Sequence, residues 1–256
     1  MSACRACDQP LVIQLDSEDD SATGSSAAAA ANSVPDDLTL SCSCHFHWEC
    51  LFEHADSIAT TAQCPACSTA LAPAPANIEA FIQSPPDLTA SYLNEGGFDP
   101  SLAIGNLLAE EAYFSLNPPA RRVKAFHMMA GEGDIAGMLE LLRDVAAETT
   151  DPAEMGDLLR ATDPLNGGRT ALHVAVQGRQ ADAAWLMLWM VSSLGIEFFP
   201  EIAVNVAREV GLNRLAVESP EMDIRSFRDN ADRTAEDLAQ MVEFAELLQP
   251  GTLTPP

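Results

Sequence analysis

Apolar and polar positions divide the chain into blocks of different texture. Leu11, Val12, Ile13 and Leu15 form a short apolar stretch, Leu38 and Leu40 flank a polar residue, and the two stretches are expected to pair opposite one another. Between them, about residues 16–37, lie the acidic run DSEDD and a Ser/Ala tract. Such a composition buries too little apolar surface to offset its ordering entropy, so a disordered insert is predicted; the run Ala27 to Ala31 is too short for a stable helix. Residues 70–76, ALAPAPA, read as a proline-punctuated linker that ends the first module, residues 1–69. Over residues 77–117 apolar residues recur in helical pieces, IEAFI, DLTASYL and PSLAIGNLLAEEAYFSL, interrupted at Pro85-Pro86 and Gly96-Gly97 and stopped by Pro118-Pro119. Leu102, Leu107, Leu108, Tyr113 and Phe114 would line one face of this helical cap or connector.

Beyond it the helical period dominates. KAFHMMAGEGDIAGMLELL reads as helix, Gly133-Asp134 turn, helix, and ADAAWLMLWMVSSL as a further buried helix. Trp185, Met187, Trp189 and Met190 stand at helical spacing on a segment without charge, which points to core packing. The longest run free of charge there, Ala183 to Ile196, is short of the roughly twenty residues needed to span a bilayer. The fold expected is a small finger followed by an all-α domain over 118–248, with the tail 249–256 frayed.

Charge narrows the partners. The 256 residues carry a formal net charge of −25, with thirteen basic residues of which Lys124 alone is a lysine. Neutralising phosphates takes clustered Lys and Arg, so nucleic acid and acidic lipid are excluded as expected partners, and proteins with a basic face are favoured. No Gly-rich phosphate loop, GxSxG elbow or paired-carboxylate motif appears.

The chemistry is concentrated in the first quarter. All seven cysteines lie there with His47, in four pairs: Cys4 and Cys7, Cys42 and Cys44, His47 and Cys50, Cys64 and Cys67. Seven cysteines cannot all form disulfides, and the start MSACRAC lacks the pattern of a signal peptide, so an intracellular, cytoplasmic or nuclear setting is expected. Each Cys-x-x-Cys places two thiolates on one turn, and four such ligands satisfy the tetrahedral preference of Zn²⁺ with no position open for water. Eight ligands in four pairs imply two structural Zn²⁺ ions with the pairs used alternately. His45 is a candidate to replace Cys44 or His47, or else a solvated loop residue.

The segment LSCSCHFHWEC followed by CPAC resembles a RING finger. PHD and RING-CH fingers share the ligand order, but the short gap before Phe46-His47 is RING-like. The resemblance implies that Cys4, Cys7, His47 and Cys50 form one site and Cys42, Cys44, Cys64 and Cys67 the other. It also implies a contact surface for a ubiquitin-conjugating enzyme. Pro65 and Leu51 fit that surface; Ala6, His54 and Ser68 depart from it, standing where the family often has a larger aliphatic residue, a Trp and an Arg.

DPLNGGRTALHVAV, residues 163–176, resembles an ankyrin repeat, with Gly168 permitting the turn, Thr170 capping the helix, Leu172 and Ala175 buried and His173 bonding between loops. His127 occupies the His173 place in an earlier copy, and DNADRTAEDLAQ resembles a last repeat, with Thr234 capping and Asp237 where the His would be. AVNVAREVG is an insertion or a degenerate repeat, and the copies are irregularly spaced. The resemblances imply a ubiquitin ligase: the finger recruits a charged conjugating enzyme and the repeats bind a protein substrate. The alternative is a non-catalytic zinc-binding adaptor. The lysine depletion would shield a ligase from modifying itself, although a genome rich in G and C would produce the same bias.

Overall fold

The computed structural model describes residues 3–14, 33–148, 152–209 and 211–256; the predicted disordered insert and its alanine run fall mostly outside them. The chain divides into two compact units, Met1–Pro118 and Pro119–Pro256.

In the first unit, β1 (Val12–Gln14) pairs antiparallel with β2 (Ser33–Pro35), so the predicted insert is already structured from residue 33 onward. β3 (Asp37–Leu40) turns at Cys42–Cys44 into β4 (His45–Phe46), and the short helices α1 (Trp48–Phe52) and α2 (Ala55–Thr61) follow. Leu38 and Leu40 are buried while Asp37 and Thr39, which alternate with them, are only half so, the alternation of a strand with one face on the core. They do not pair with the described part of that stretch, Leu11 to Gln14, as expected; Leu15 lies outside the described residues. Leu38 lies opposite Phe46 on one side and Tyr92 on the other, and Leu40 lies opposite Ala90.

That second neighbour corrects the reading of residues 77–117. After α3 (Ile78–Gln83) the chain forms a hairpin, β5 (Thr89–Asn94) and β6 (Gly97–Ala103), before α4 (Gly105–Leu116). The sheet order is β4-β3-β5-β6, antiparallel throughout. DLTASYL is therefore mostly strand, because pairing with β3 offers its backbone a complete ladder, and ladder hydrogen bonds outweigh a weak helical pattern. Gly105 starts α4 where a Cβ would fall 2.1 Å from the Pro86 carbonyl oxygen, so only glycine permits this approach. Phe81, Leu88, Ala90, Ile104, Leu108 and Ala112 share one core with Leu38, Phe46, Leu51 and Ile58. The first folding unit thus runs through the proline-rich linker to Pro118, and the segment predicted as a connector is an integral part of it.

The second unit is helical: α5 (Ala120–Glu132), α6 (Ile135–Glu148), α7 (Pro152–Arg160), α8 (Ala171–Gln177), α9 (Ala181–Val191), α10 (Glu201–Glu209) and α11 (Ala235–Met241). α8 packs between α5 and α11. These three helices end alike. Gly133, Arg179 and Glu243 each adopt a left-handed conformation, with φ of 77°, 56° and 53°. The next N–H returns to the carbonyl five residues back in each case: Asp134 to Met129, Gln180 to Ala175, Phe244 to Ala239. Thr170 and Thr234 cap α8 and α11 with reciprocal boxes closed by His173 and Asp237. His173 also joins the turns that precede α8 and α11, its Nε2 lying 3.1 Å from the Arg233 carbonyl. His127 follows only weakly: it is buried, and the Ala161 carbonyl lies near its ring without a well-formed hydrogen bond. Trp185, Met187, Trp189 and Met190 are core residues, as their spacing predicts.

The tail is docked, contrary to expectation. Thr252 and Leu253 are buried, and the Arg225 guanidinium reaches the carbonyls of Gly251 and Thr254 at 3.4 and 3.1 Å. Arg225 is itself held bidentately by the buried Asp223, at 2.9 and 2.8 Å. No helix among the described residues is long and apolar enough to cross a membrane.

Candidate metal centres

Two turns of identical construction open the first unit's chemistry. At Cys4-x-x-Cys7, the N–H of Cys4 donates to the Gln9 carbonyl and that of Asp8 to the Cys4 carbonyl, both 2.9 Å, with Asp8 left-handed at φ 59°. At Cys64-x-x-Cys67, Cys64 donates to Thr69 and Ser68 to Cys64, again 2.9 Å, with Ser68 at φ 57°. Such a tight loop points both sulfurs and several N–H groups to one side. Cys42 and Cys44 flank Ser43 in the β3–β4 turn, which is closed by bonds from Ser43 N–H and Leu40 N–H to the carbonyls of Leu40 and Cys44 at 2.8 and 3.0 Å. His47 and Cys50 are one helical turn apart at the start of α1.

The fold brings these four pairs together alternately. Cys4, Cys7, His47 and Cys50 form one cluster and Cys42, Cys44, Cys64 and Cys67 the other, with all donor atoms within a cluster lying within 4.8 Å of one another. A tetrahedral ion with metal–sulfur bonds of about 2.3 Å separates its sulfurs by about 3.8 Å, so each cluster can close on one ion with small side-chain movements. In the first, His47 Nδ1 lies 3.3 Å from Cys7 Sγ and 3.7 Å from Cys50 Sγ, while its Nε2 lies 2.8 Å from the Pro10 carbonyl. An Nε2–H donated to Pro10 leaves the Nδ1 lone pair directed at the cluster, the outer-shell arrangement that orients a metal-binding imidazole. His45 is turned elsewhere, its Nδ1 2.7 Å from Asp37 Oδ1 and 3.0 Å from the Thr39 hydroxyl, and it belongs to neither cluster.

The electrostatics favour a cation. Burial and neighbouring thiols push Cys44 and Cys50 up to about 12, since crowded thiolates repel one another. Cys4 is lowered to about 7: burial raises it, but N–H groups of His47, Cys7 and Ala6 outweigh that. Cys67 falls to about 6 through the hydroxyl and N–H of Thr69. One member of each cluster is thus ready to ionise while another resists, and an ion bound by all four thiolates or by three and an imidazole would relieve the repulsion. A four-ligand shell leaves no site for substrate, so the metal's role would be to fix structure.

Of the surface residues expected to meet a partner, Ala6 and Ser68 are exposed and Pro65 half-buried. Leu51 is not available: it is fully buried beside Ile58 and Leu38, because the residue after Cys50 faces the core across α1. Asp36 was not singled out by its sequence context. It is buried, and its Oδ1 accepts from Trp48 N–H at 3.1 Å and from the Tyr92 hydroxyl at 3.0 Å, with Oδ2 3.2 Å from the same N–H. It therefore caps α1, whose own N-cap His47 makes no side-chain capping bond, and ties the helix to β5. The Trp48 ring stacks between Phe52 and Tyr92, at centroid distances of 4.5 and 5.2 Å. Compared with protein-family models, curated proteins and solved structures, the chain gives no significant match to any of them.

Proposed function

We propose that the protein is a RING-type ubiquitin ligase: the first unit, braced by two Zn²⁺, docks a ubiquitin-charged conjugating enzyme, and the second, an ankyrin-like stack, captures a protein substrate. The observation that carries this reading is the alternate use of four ligand pairs in two closed clusters. Beside it stands the half-buried Pro65, on the second Cys-x-x-Cys turn. The three equivalent helix ends at Gly133, Arg179 and Glu243, with α8 between α5 and α11, support the repeat reading of the second unit. Bound zinc would supply shape and folding free energy. The chain's own contribution to transfer would be proximity, holding the thioester near an acceptor amine.

A second reading, a zinc-binding adaptor without ligase activity, is favoured by two observations: Leu51 lies in the core, and Ser68 offers a short neutral side chain where active members of the resembled family often carry a multidentate Arg. Ubiquitin discharge to free lysine from a panel of charged conjugating enzymes separates the two. The ligase reading expects discharge with at least one enzyme, weakened by Pro65→Ala without loss of zinc and raised by Ser68→Arg. Absence of discharge across the panel from a zinc-loaded preparation overturns it in favour of the adaptor.

A further inference from the structure

The chain holds twelve arginines and one lysine, and the structure gives that lysine a specific occupation. Lys124 lies on α5 with its side chain 31% exposed and its Nζ 4.0 Å from Oδ2 of Asp163, whose own side chain is 6% exposed. Asp163 builds the turn that leads into α8. Its Oδ1 accepts from Leu165 N–H at 2.9 Å, its carbonyl accepts from Asn166 and Gly168, and its N–H donates to Arg169. Oδ2 receives no hydrogen bond. Lys124 is a cation that faces this nearly sealed oxygen, at the outer limit of an ion pair. The following turn repeats the device with arginines: Asp229 Oδ2 lies 2.6 Å from Arg233 Nη2 and 3.9 Å from Arg169 Nε.

Guanidinium stays protonated and does not accept acyl groups, whereas a lysine amine does. We infer that the folded chain presents no side-chain amine open to acylation, because Lys124 is withheld by Asp163, so that an acyl group delivered at the first unit passes to a bound protein. The identity of the acyl donor, a ubiquitin thioester, rests on the ligase reading; the withholding of the amine does not. In the transfer, the amine nitrogen attacks the thioester carbonyl, the carbon–sulfur bond breaks, the conjugating enzyme's cysteine leaves as thiolate, and the proton shed by the nitrogen neutralises it. An amine whose side chain is only 31% exposed and faces a buried carboxylate has little room for that attack.

The test uses the full-length zinc-loaded protein and two probes. With an N-hydroxysuccinimide ester of acetate at neutral pH, peptide mass spectrometry compares Lys124 with the lysine introduced by Arg228→Lys, a position 52% exposed beside an 87% exposed Asp232. Lys124 is expected to react about tenfold more slowly or less, the gap closing in urea, as protection by folded structure requires. Asp163→Asn, which keeps the acceptor for Leu165, should accelerate Lys124 severalfold while leaving the helical circular dichroism intact. Equal rates for the two lysines in the folded protein overturn the inference, whether or not Asp163→Asn folds. With charged conjugating enzyme, Arg228→Lys should acquire ubiquitin at its new amine while Lys124 stays bare. Discharge to free lysine in the same reaction reports the ligase reading separately, and its failure leaves the acetylation result to decide the shielding.

Discussion

Asp36→Ala should loosen the first unit strongly, although the residue is no metal ligand. The carboxylate is 3% exposed and satisfies two donors, Trp48 N–H and the Tyr92 hydroxyl. Hydrogen bonds to a charged acceptor contribute about 1.5–3 kcal/mol each, and the two donors would be left orphaned in a buried place; recovered desolvation of the carboxylate offsets part of the loss. The net expected is about 3–4 kcal/mol, or roughly a hundredfold or more in the folded-to-unfolded ratio. Asp36→Asn should cost about 1–2 kcal/mol, because Oδ1 serves both donors and only the Oδ2 side, 3.2 Å from Trp48 N, would meet an unfavourable N–H. Tyr92→Phe should cost about 1 kcal/mol. A double-mutant cycle of Asp36→Ala with Tyr92→Phe should show coupling of about 1 kcal/mol or more. Folding and metal binding are linked, so zinc affinity measured by chelator competition should fall with stability, and amide exchange of β3 and β5 should accelerate together. Unchanged zinc affinity and unchanged exchange in Asp36→Ala, or strict additivity in the cycle, would refute the reasoning.

Native mass spectrometry of the full chain should show two Zn²⁺, and Cys64→Ser should lose metal while His45→Ala retains it; equal loss would place His45 in the shell. Tyr92 is pushed up to about 12 by burial and by Asp36, so its folded value lies above its ordinary 10.0. Its contribution is complete below pH 10 and lost as pH rises towards 12, and an absorbance titration of tyrosinate should show a late component that Tyr92→Phe removes. Asp223 is lowered to about 2: burial opposes ionisation, but the Arg225 guanidinium and the Ser193 N–H and hydroxyl outweigh it. That stability is present above pH 3.8 and lost as pH falls towards 2. Asp223→Asn leaves a buried guanidinium uncompensated and should cost about 3–5 kcal/mol by thermal melting, with faster exchange at residues 251–254; wild-type exchange there would disconnect the tail from this pair.

Legibility followed range. The ligand pairs were readable because a Cys-x-x-Cys turn is a local object, and the capped helices at Thr170 and Thr234 because a cap is decided within four residues. The β3–β5 pairing was not. It joins Asp37 to Leu93 across more than fifty positions, and nothing near Thr89 to Asn94 announces a partner that lies beyond a proline linker. The same distance hid Asp36, whose value comes from Tyr92 rather than from its neighbours. Leu51 was misplaced because adjacency to a ligand says nothing about which side of α1 it takes. The tail was misread because Pro and Gly signal irregular backbone, and irregular backbone can still be held, here by Arg225.

The helical unit is held differently on the two sides of α8. Between α8 and α11 the ties are polar: His173 to Arg233, Asn230 N–H to the Gly167 carbonyl, and the Arg179 guanidinium on the carbonyls of Val242 and Glu243. Between α5 and α8 the fit is mainly one of shape, with the long Lys124–Asp163 ion pair beside it. A Cβ on Gly178 would fall 2.5 Å from the Gly131 carbonyl oxygen, and one on Gly131 2.8 Å from Val174. The unit therefore has a direction of failure. One added methyl at Gly178 would prise α5 from α8 while α8 keeps its bonds to α11, so thermal opening of that variant should start at the α5 side.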